Sequence, residues 1–323
     1  MPIIKYRDAL RLALREEMLR DPLVFLMGEG IAERGGSYKV TDQLYQEFGL
    51  QRVIDTPLSE ASFVGMGVGA ALVGTRPVVE ILFIDFALLA MDQIINQAAK
   101  FNFMTGGQGH VPLVIRTQGG AGNSLAGQHS QSLEALFYHI PGLKVVMPST
   151  PYDAKGLLKA SIREAEPVLF IEHKLLYQTE GEVPEEEYLI PLGKADVKCE
   201  GKDVTLVTYS WMTQKCMEAA EALAKEGIQC EVVDLRTLVP LDKDAILQSV
   251  HKTGKLVIVH EACERGGVGG DIAAMVAREG FDDLDAPILR VAGKNTPIPF
   301  NLELEKACVP SVNDVVSAVR SIL

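Results

Sequence analysis

Short apolar runs alternate along the whole chain with longer stretches whose apolar residues recur at helical spacing. In the first half, the runs at 24–27, 78–84, 111–116, 144–147 and 168–172 read as buried strands. Between them lie helical patterns at 6–20, 60–73, 86–103 and 151–164. Tyr6, Leu10, Ala13, Leu14 and Met18 share one face of the first. Pro151 followed by Asp153 marks the start of the last. A second cycle follows, with strands at 203–209, 230–235, 255–260 and 288–291 and helices at 214–225, 243–251, 270–279 and 312–322. Alternation of this kind predicts an α/β protein built of two doubly wound parallel sheets. The texture changes between 178 and 202, where Glu180-Gly181-Glu182-Val183-Pro184-Glu185-Glu186-Glu187 is acidic and marked by Gly and Pro, as an exposed connection would be. The expected organisation is therefore a domain over 1–185, a linker over 186–202 and a second domain over 203–323.

Composition narrows the function classes. A chain of 323 residues suits two domains at about 100–200 residues each. Hydrophobic residues make up 47% and charged residues 23%, enough for two ordinary cores. A net charge of −12 argues against binding nucleic-acid phosphates. No apolar run reaches the ~18 residues of a membrane span; the best attempt, 78–91, is interrupted by Glu80 and Asp85. The first residues carry neither an apolar leader core nor an Arg/Ser-rich transit pattern, so the expected location is the cytoplasm. Five cysteines, Cys199, Cys216, Cys230, Cys263 and Cys308, are odd in number and widely spread, which points to free thiols. No two histidines stand at metal-ligand spacing, so no metal site is expected from this chain's own residues.

Several segments invite chemistry. Glu60 closes the Pro-bearing stretch Asp55-Thr56-Pro57-Leu58-Ser59-Glu60 and opens the small-residue run that ends at Ala71. An acid there is stabilised by the helix N-terminus whether or not it does chemistry. Gly65-Met66-Gly67-Val68-Gly69-Ala70 imitates a dinucleotide fingerprint but lies inside the expected helix, where close packing explains it better. Gly266-Gly267-Val268-Gly269-Gly270-Asp271 does follow a strand, yet lacks the third glycine and a ribose-binding acid. An NAD-dependent dehydrogenase therefore stays a rival reading, as does a non-catalytic assembly module. The Gly-rich segment 118–127 follows the 111–116 strand and leads into Gln128-His129-Ser130-Gln131, a polar cluster at the carboxyl end of a parallel strand. Ligands bind at such ends. Phe86 stands near the end of the 78–84 strand.

Gly35-Gly36-Ser37-Tyr38-Lys39-Val40-Thr41, the Asp55–Glu60 stretch, Arg76-Pro77-Val78-Val79-Glu80, Gln128-His129-Ser130-Gln131-Ser132, Pro141-Gly142-Leu143-Lys144-Val145-Val146 and Asp153-Ala154-Lys155-Gly156-Leu157-Leu158 are each weak motifs, but their order and spacing together are specific. So ordered, the sequence resembles the β subunits of thiamine-diphosphate-dependent 2-oxo acid dehydrogenases, of the pyruvate and acetoin dehydrogenase type, within the transketolase-like superfamily. One departure is visible: where the family often carries Gly-Glu-Asp, this chain has Gly28-Glu29-Gly30.

The resemblance implies a pyrimidine-binding domain followed by a transketolase C-terminal-like domain. It implies Glu60 as the carboxyl group that activates thiamine diphosphate through its pyrimidine ring, with Leu58 and Phe86 against that ring. His129 would face the incoming lipoyl group and assist acyl transfer. The Gly-Asp-Gly segment and paired asparagines that hold diphosphate and Mg2+ in such enzymes are absent. The chain is thus expected to supply half a site, the other half and the Mg2+ coming from a separate α subunit. Two α and two β chains, with β–β contacts, would deliver the acyl group to the lipoyl domain of a dihydrolipoyl acyltransferase. Pyruvate is the expected substrate. Acetoin and branched-chain 2-oxo acids are the alternatives.

Overall fold

Residues 1–323 are all described in the computed structural model, where the chain divides into two units. The first comprises Met1–Gly119 and Leu136–Leu192, the second Gly120–Ala135 and Gly193–Leu323.

Six parallel strands of the first unit run in the order Lys144–Val146, Val168–His173, Val114–Gly119, Arg76–Ile81, Val24–Gly28 and Val53–Asp55. Their Val, Ile, Leu and Phe side chains are almost all buried, as expected of a sheet covered on both faces. The helix Tyr6–Arg20 packs on the helix Pro151–Arg163. Thr150 caps the latter by accepting from the Asp153 N–H at 3.1 Å, with Pro151 in its first turn. Two lysines buried between these helices are paired: Lys155 and Lys159 reach Glu16 at 2.8 and 2.6 Å. Pairing is what makes a buried lysine tolerable.

Two segments depart from the sequence expectation. The strand expected at 111–116 forms at Val114–Gly119, because Pro112 lacks the N–H a ladder needs. The single helix expected over 86–103 is three pieces: a 3₁₀ turn Ile84–Ala90, a π-helix Asp92–Ala98 and an α-helical end Ala99–Met104. The run from Phe86 to Met91 is apolar at every position, so it carries no period to choose one helical pitch over another. Glu180–Glu182, within the acidic stretch, pairs antiparallel with Ile3–Lys5.

The second unit has a five-stranded sheet in the order Leu289–Gly293, Leu256–Cys263, Val204–Thr208, Cys230–Asp234 and Asp196–Cys199. The first four are parallel and the last, an edge strand, is antiparallel. Val204, Leu206, Val232, Val257 and Val259 meet the helices Trp211–Ala224 and Val312–Ser321 in its core. Cys216 and Cys230 belong to that core, and burial pushes both thiols up to about 12. All five cysteines are free. No helix is long and apolar enough to cross a membrane.

Candidate active site

In the first sheet, the chain leaves Val24–Gly28 toward one edge and leaves its neighbour Arg76–Ile81 toward the other. Adjacent strands whose outgoing connections diverge open a crevice at their carboxyl ends, the place where open α/β sheets bind ligands. Here that crevice is an open cleft of about 770 Å³, lined by Glu29, Gly30, Thr56, Pro57, Leu58 and Leu82 among others. Glu29 and Gly30 follow the first strand, Thr56–Leu58 follow Val53–Asp55, and Leu82 follows Arg76–Ile81.

Glu60 begins the helix Glu60–Leu72 and is 8% exposed. Its position in the first turn places a carboxylate among free backbone N–H groups. The helix lies close on the sheet because residue 67 is glycine: a Cβ there would come within 2.7 Å of Val79 Cγ2. That is the packing reason for the small-residue run. Leu58, which lines the cleft, is 82% exposed. Glu29 has its carboxyl raised above the ordinary range, first by burial and then by the charge of Glu60. Glu29 Oε1 and Thr56 Oγ1 are buried without a hydrogen-bond partner. Such groups gain most from a polar ligand that can satisfy them.

Phe86 sits in the 3₁₀ turn Ile84–Ala90, half-buried, its ring edge-on to Phe83 at 5.8 Å. The helix that starts at Glu60 packs against this turn. Deeper in the sheet, Arg116 donates to both oxygens of Glu172 at 2.7 and 2.8 Å and to Glu80 at 2.7 Å. The Tyr177 hydroxyl lies 2.6 Å from Glu172 and 2.7 Å from Gln118. Tyr38 stacks on Tyr177 at 4.5 Å.

His129 belongs to the second unit, on the segment Gly120–Ala135. The crevice of that sheet lies between Val204–Thr208 and Leu256–Cys263, whose outgoing connections also diverge. This segment of the chain is hydrogen-bonded to the strand ends that border it. Glu261, in the Leu256–Cys263 strand, accepts from the Ala121 N–H at 2.8 Å and from Ser132 Oγ at 3.0 Å. Tyr209, just after Val204–Thr208, donates to Glu134 at 2.8 Å. Glu305, from the short helix Leu302–Lys306, accepts from the N–H groups of Gly122 and Ser124 at 2.8 and 2.9 Å. His129 itself is half-buried.

The second glycine motif also has a packing cause. A Cβ on Gly267 or Gly269 would meet the His260 ring at 2.6 or 2.7 Å. These glycines make room for a buried imidazole, and nothing about them requires a dinucleotide.

Two domain families match the chain: the transketolase pyrimidine-binding domain over residues 3–180 and the transketolase C-terminal domain over 193–315. The β subunit of the pyruvate dehydrogenase E1 component of Rickettsia felis is 49% identical over 99% of this chain and 98% of its own length. The chain belongs to the transketolase-like family of 2-oxo acid dehydrogenase β subunits. Members are oxidoreductases that depend on thiamine diphosphate. Within this family, the β subunit of 2-oxoisovalerate dehydrogenase of Bacillus subtilis is 47% identical over 100% of this chain and 99% of its own. The β subunit of acetoin:2,6-dichlorophenolindophenol oxidoreductase of Cupriavidus necator is 51% identical over 97% and 95%. A solved structure described as a split-gene transketolase, inactive β4 tetramer, superposes with a TM-score of 0.81 over 99% of this chain and 98% of its own at 25% identity.

For this β subunit, sequence reasoning passed over Glu29 and Thr56 as polar groups of the cleft and Glu261 and Glu305 as holders of the His129 segment. Glu29 carried a signal, an acid between two glycines at a strand's end. Glu305 carried none, since its partner Gly122 is 183 residues away in sequence.

Proposed function

We propose that the chain is the β subunit of the decarboxylating component of a pyruvate dehydrogenase complex, acting on pyruvate with a separate α subunit. The observation that carries this reading is Glu60: a buried carboxylate at a helix start, beside an open cleft at the divergent strands of a pyrimidine-binding-type domain. The residues around the cleft fit the pyrimidine end of thiamine diphosphate. Glu60 and Glu29 offer carboxyl groups, Glu29 Oε1 and Thr56 Oγ1 lack partners, and the exposed Leu58 offers an apolar contact to a flat ring. Glu60, Leu58 and Phe86 are the residues assigned to hold that ring. When bound, thiamine diphosphate supplies the electron sink that lets a 2-oxo acid release carbon dioxide.

Glu60 holds a proton at the pyrimidine ring nitrogen, a task that needs an ionisable group and not merely a hydrogen-bond acceptor. His129 assists passage of the acyl group to the lipoyl group of a dihydrolipoyl acyltransferase. The diphosphate and Mg2+ fall to the α subunit, because Gly-Asp-Gly and Asn-Asn are both missing from this sequence. Two α and two β subunits are the assembly in which both halves of each site are present. Acetoin is the second reading, favoured by the 51% identity to an acetoin-type β subunit.

Reconstitution with the α subunit tests the proposal. Turnover of pyruvate, acetoin and 3-methyl-2-oxobutanoate is compared with a lipoyl domain as acceptor. Pyruvate is expected to lead; a lead for acetoin transfers the assignment to that substrate. Calorimetry on the β chain alone is expected to show weak binding of thiamine diphosphate. Tight, Mg2+-dependent binding without a partner overturns the shared site.

A further inference from the structure

We infer that Glu305, seconded by Glu261, is a positioning residue for His129, so that the C-terminal domain takes a direct part in setting the geometry of acyl transfer. The inference rests on the role proposed above for His129 and adds what holds the loop that carries it.

The segment 120–132 is an unpromising mount for a functional histidine. It is rich in glycine, and its backbone has positive φ at Gly120, Gly122, Ser124 and Ala126. At Ser124 and Ala126 the left-handed conformation crowds the Cβ, so these residues keep it only where the surroundings impose it. The surroundings do. Gly120 N–H donates to the Gln131 carbonyl at 3.0 Å and closes the ends of the loop. Glu261 ties the same two ends together through Ala121 N–H and Ser132 Oγ. Between them, the two oxygens of Glu305 take the N–H groups of Gly122 and Ser124, one each.

Glu305 is 0% exposed. A buried carboxylate is costly unless hydrogen bonds offset the lost water, and charge-assisted bonds to backbone N–H groups are the strong kind. The two bonds bracket Asn123, and Ser124 is itself one of the left-handed residues. Releasing them frees the strained half of the loop, from which the chain runs through Ala126 to His129. His129 N–H is also directed at the Ala126 carbonyl, at 3.4 Å, so the backbone conformation at Ala126 bears on where the imidazole sits. Glu305 bonds to the loop backbone, and its effect passes through the loop.

The test uses the β chain reconstituted with its α subunit. In Glu305→Ala, hydrogen exchange read by mass spectrometry over 120–132 is expected to speed up roughly tenfold or more, with the rest of the second unit unchanged. Transfer to a lipoyl domain is expected to fall on the order of 10²-fold, as for a modest misplacement of a catalytic group. Oxidation of pyruvate with dichlorophenolindophenol, which bypasses the lipoyl group, stays within about twofold. Glu305→Gln keeps one acceptor oxygen and is expected to fall between wild type and Ala in both readouts. Should Glu305→Ala not assemble, Glu305→Gln and Glu261→Gln carry the test. Unchanged exchange over 120–132, or normal lipoyl transfer despite faster exchange, overturns the positioning role. A His129→Ala variant, run alongside, separates the two readings: normal lipoyl transfer in that variant removes the role of His129 itself.

Discussion

The two units share a sheet architecture and treat its crevice in opposite ways. In the first, the carboxyl ends of Val24–Gly28 and Arg76–Ile81 border an open cleft whose polar groups, Glu29 Oε1 and Thr56 Oγ1, lack partners. In the second, the matching ends of Val204–Thr208 and Leu256–Cys263 engage the Gly120–Ala135 segment, Tyr209 donating to Glu134 and Glu261 accepting from Ala121 N–H and Ser132 Oγ. The fold supplies a crevice in both cases. What differs is whether a segment of the chain itself is hydrogen-bonded across the strand ends that border it.

The largest expected effect breaks this comparison at the open crevice. Glu60→Gln keeps the size of the side chain and one acceptor oxygen but loses the ionisable proton. Turnover in the reconstituted enzyme is expected to drop ~10²–10⁴-fold, with the thermal midpoint nearly unchanged. A purely structural acid at a helix start would reverse the pattern, costing about 1 kcal/mol or less of stability while activity persists. Exchange of the thiazolium C2 proton in the bound cofactor, followed by NMR, decides between them.

Next in size is the contrast between the two sheet interiors. The first holds charges: Arg116 with Glu172 and Glu80. The second has, beside its own buried carboxylates Glu231 and Asp234, a neutral cluster in which Thr205 Oγ1 lies 2.7 Å from both Ser249 and Thr253. Arg116→Leu leaves two carboxylates without their counter-charge and is expected to cost about 3–5 kcal/mol. Thr205→Val is expected to cost only about 1 kcal/mol. Denaturant midpoints at fixed slope measure both; equal costs would show that the ion cluster is far better hydrated than its burial indicates.

Much of this was legible in the sequence, and the limits have physical causes. Glu60, Leu58 and the strand–helix alternation are local features: a Pro-marked turn, an acid at a helix start, apolar runs of strand length. Short-range rules read such features well. The role expected of Glu60 came from the ordered motifs and remains a proposal. The Gly-rich 118–127 segment was readable as a loop, but the carboxylates that hold it are in Leu256–Cys263 and Leu302–Lys306, brought there only by tertiary folding. The same holds for Gly267 and Gly269, whose spacing imitates a nucleotide motif while the cause is the His260 ring. The uniform apolarity of Phe86–Met91 concealed a change of helical pitch. Pattern fixes which face is buried, not how tightly the backbone winds.

Acid should separate the crevices further. His260, 0% exposed, has its pKa lowered to about 4 by burial, helped by the nearby Arg290 charge and opposed by its bond to the Ala262 carbonyl. The unfolded chain therefore binds a proton between pH 6.5 and about 4 that the folded one refuses. Stability is full above pH 6.5 and is lost as the pH falls toward and through 4, by on the order of 3 kcal/mol. Glu29 has the opposite sign. Its raised carboxyl favours the protonated folded state, so its contribution declines as pH rises through the carboxylate range. Unfolding of His260→Asn across pH 4–7 should show a flatter slope than wild type. Parallel slopes would mean that other groups govern acid unfolding.

The smallest effect sharpens what the small residues of the Glu60–Leu72 helix are for. Two of its glycines look alike in sequence and differ in surroundings. A Cβ at Gly67 would stand 2.7 Å from Val79 Cγ2 and 3.3 Å from Leu113 Cδ1. Both neighbours are buried and cannot swing away, so the helix would have to lift off the sheet. At Gly69 a Cβ would meet nothing within 4 Å. Alanine also removes the conformational freedom that makes a helical glycine costly, a gain of about 0.5–1 kcal/mol. Gly69→Ala in the isolated chain is therefore expected to stabilise by that amount, whereas Gly67→Ala is expected to destabilise by about 1–3 kcal/mol through overpacking. Paired thermal and denaturant unfolding of the two variants measures the difference. Equal destabilisation by both would show that the backbone of this helix, and not its contact with the sheet, requires glycine. It would then leave the close approach at Gly67 without a part in seating Glu60 beside the cleft.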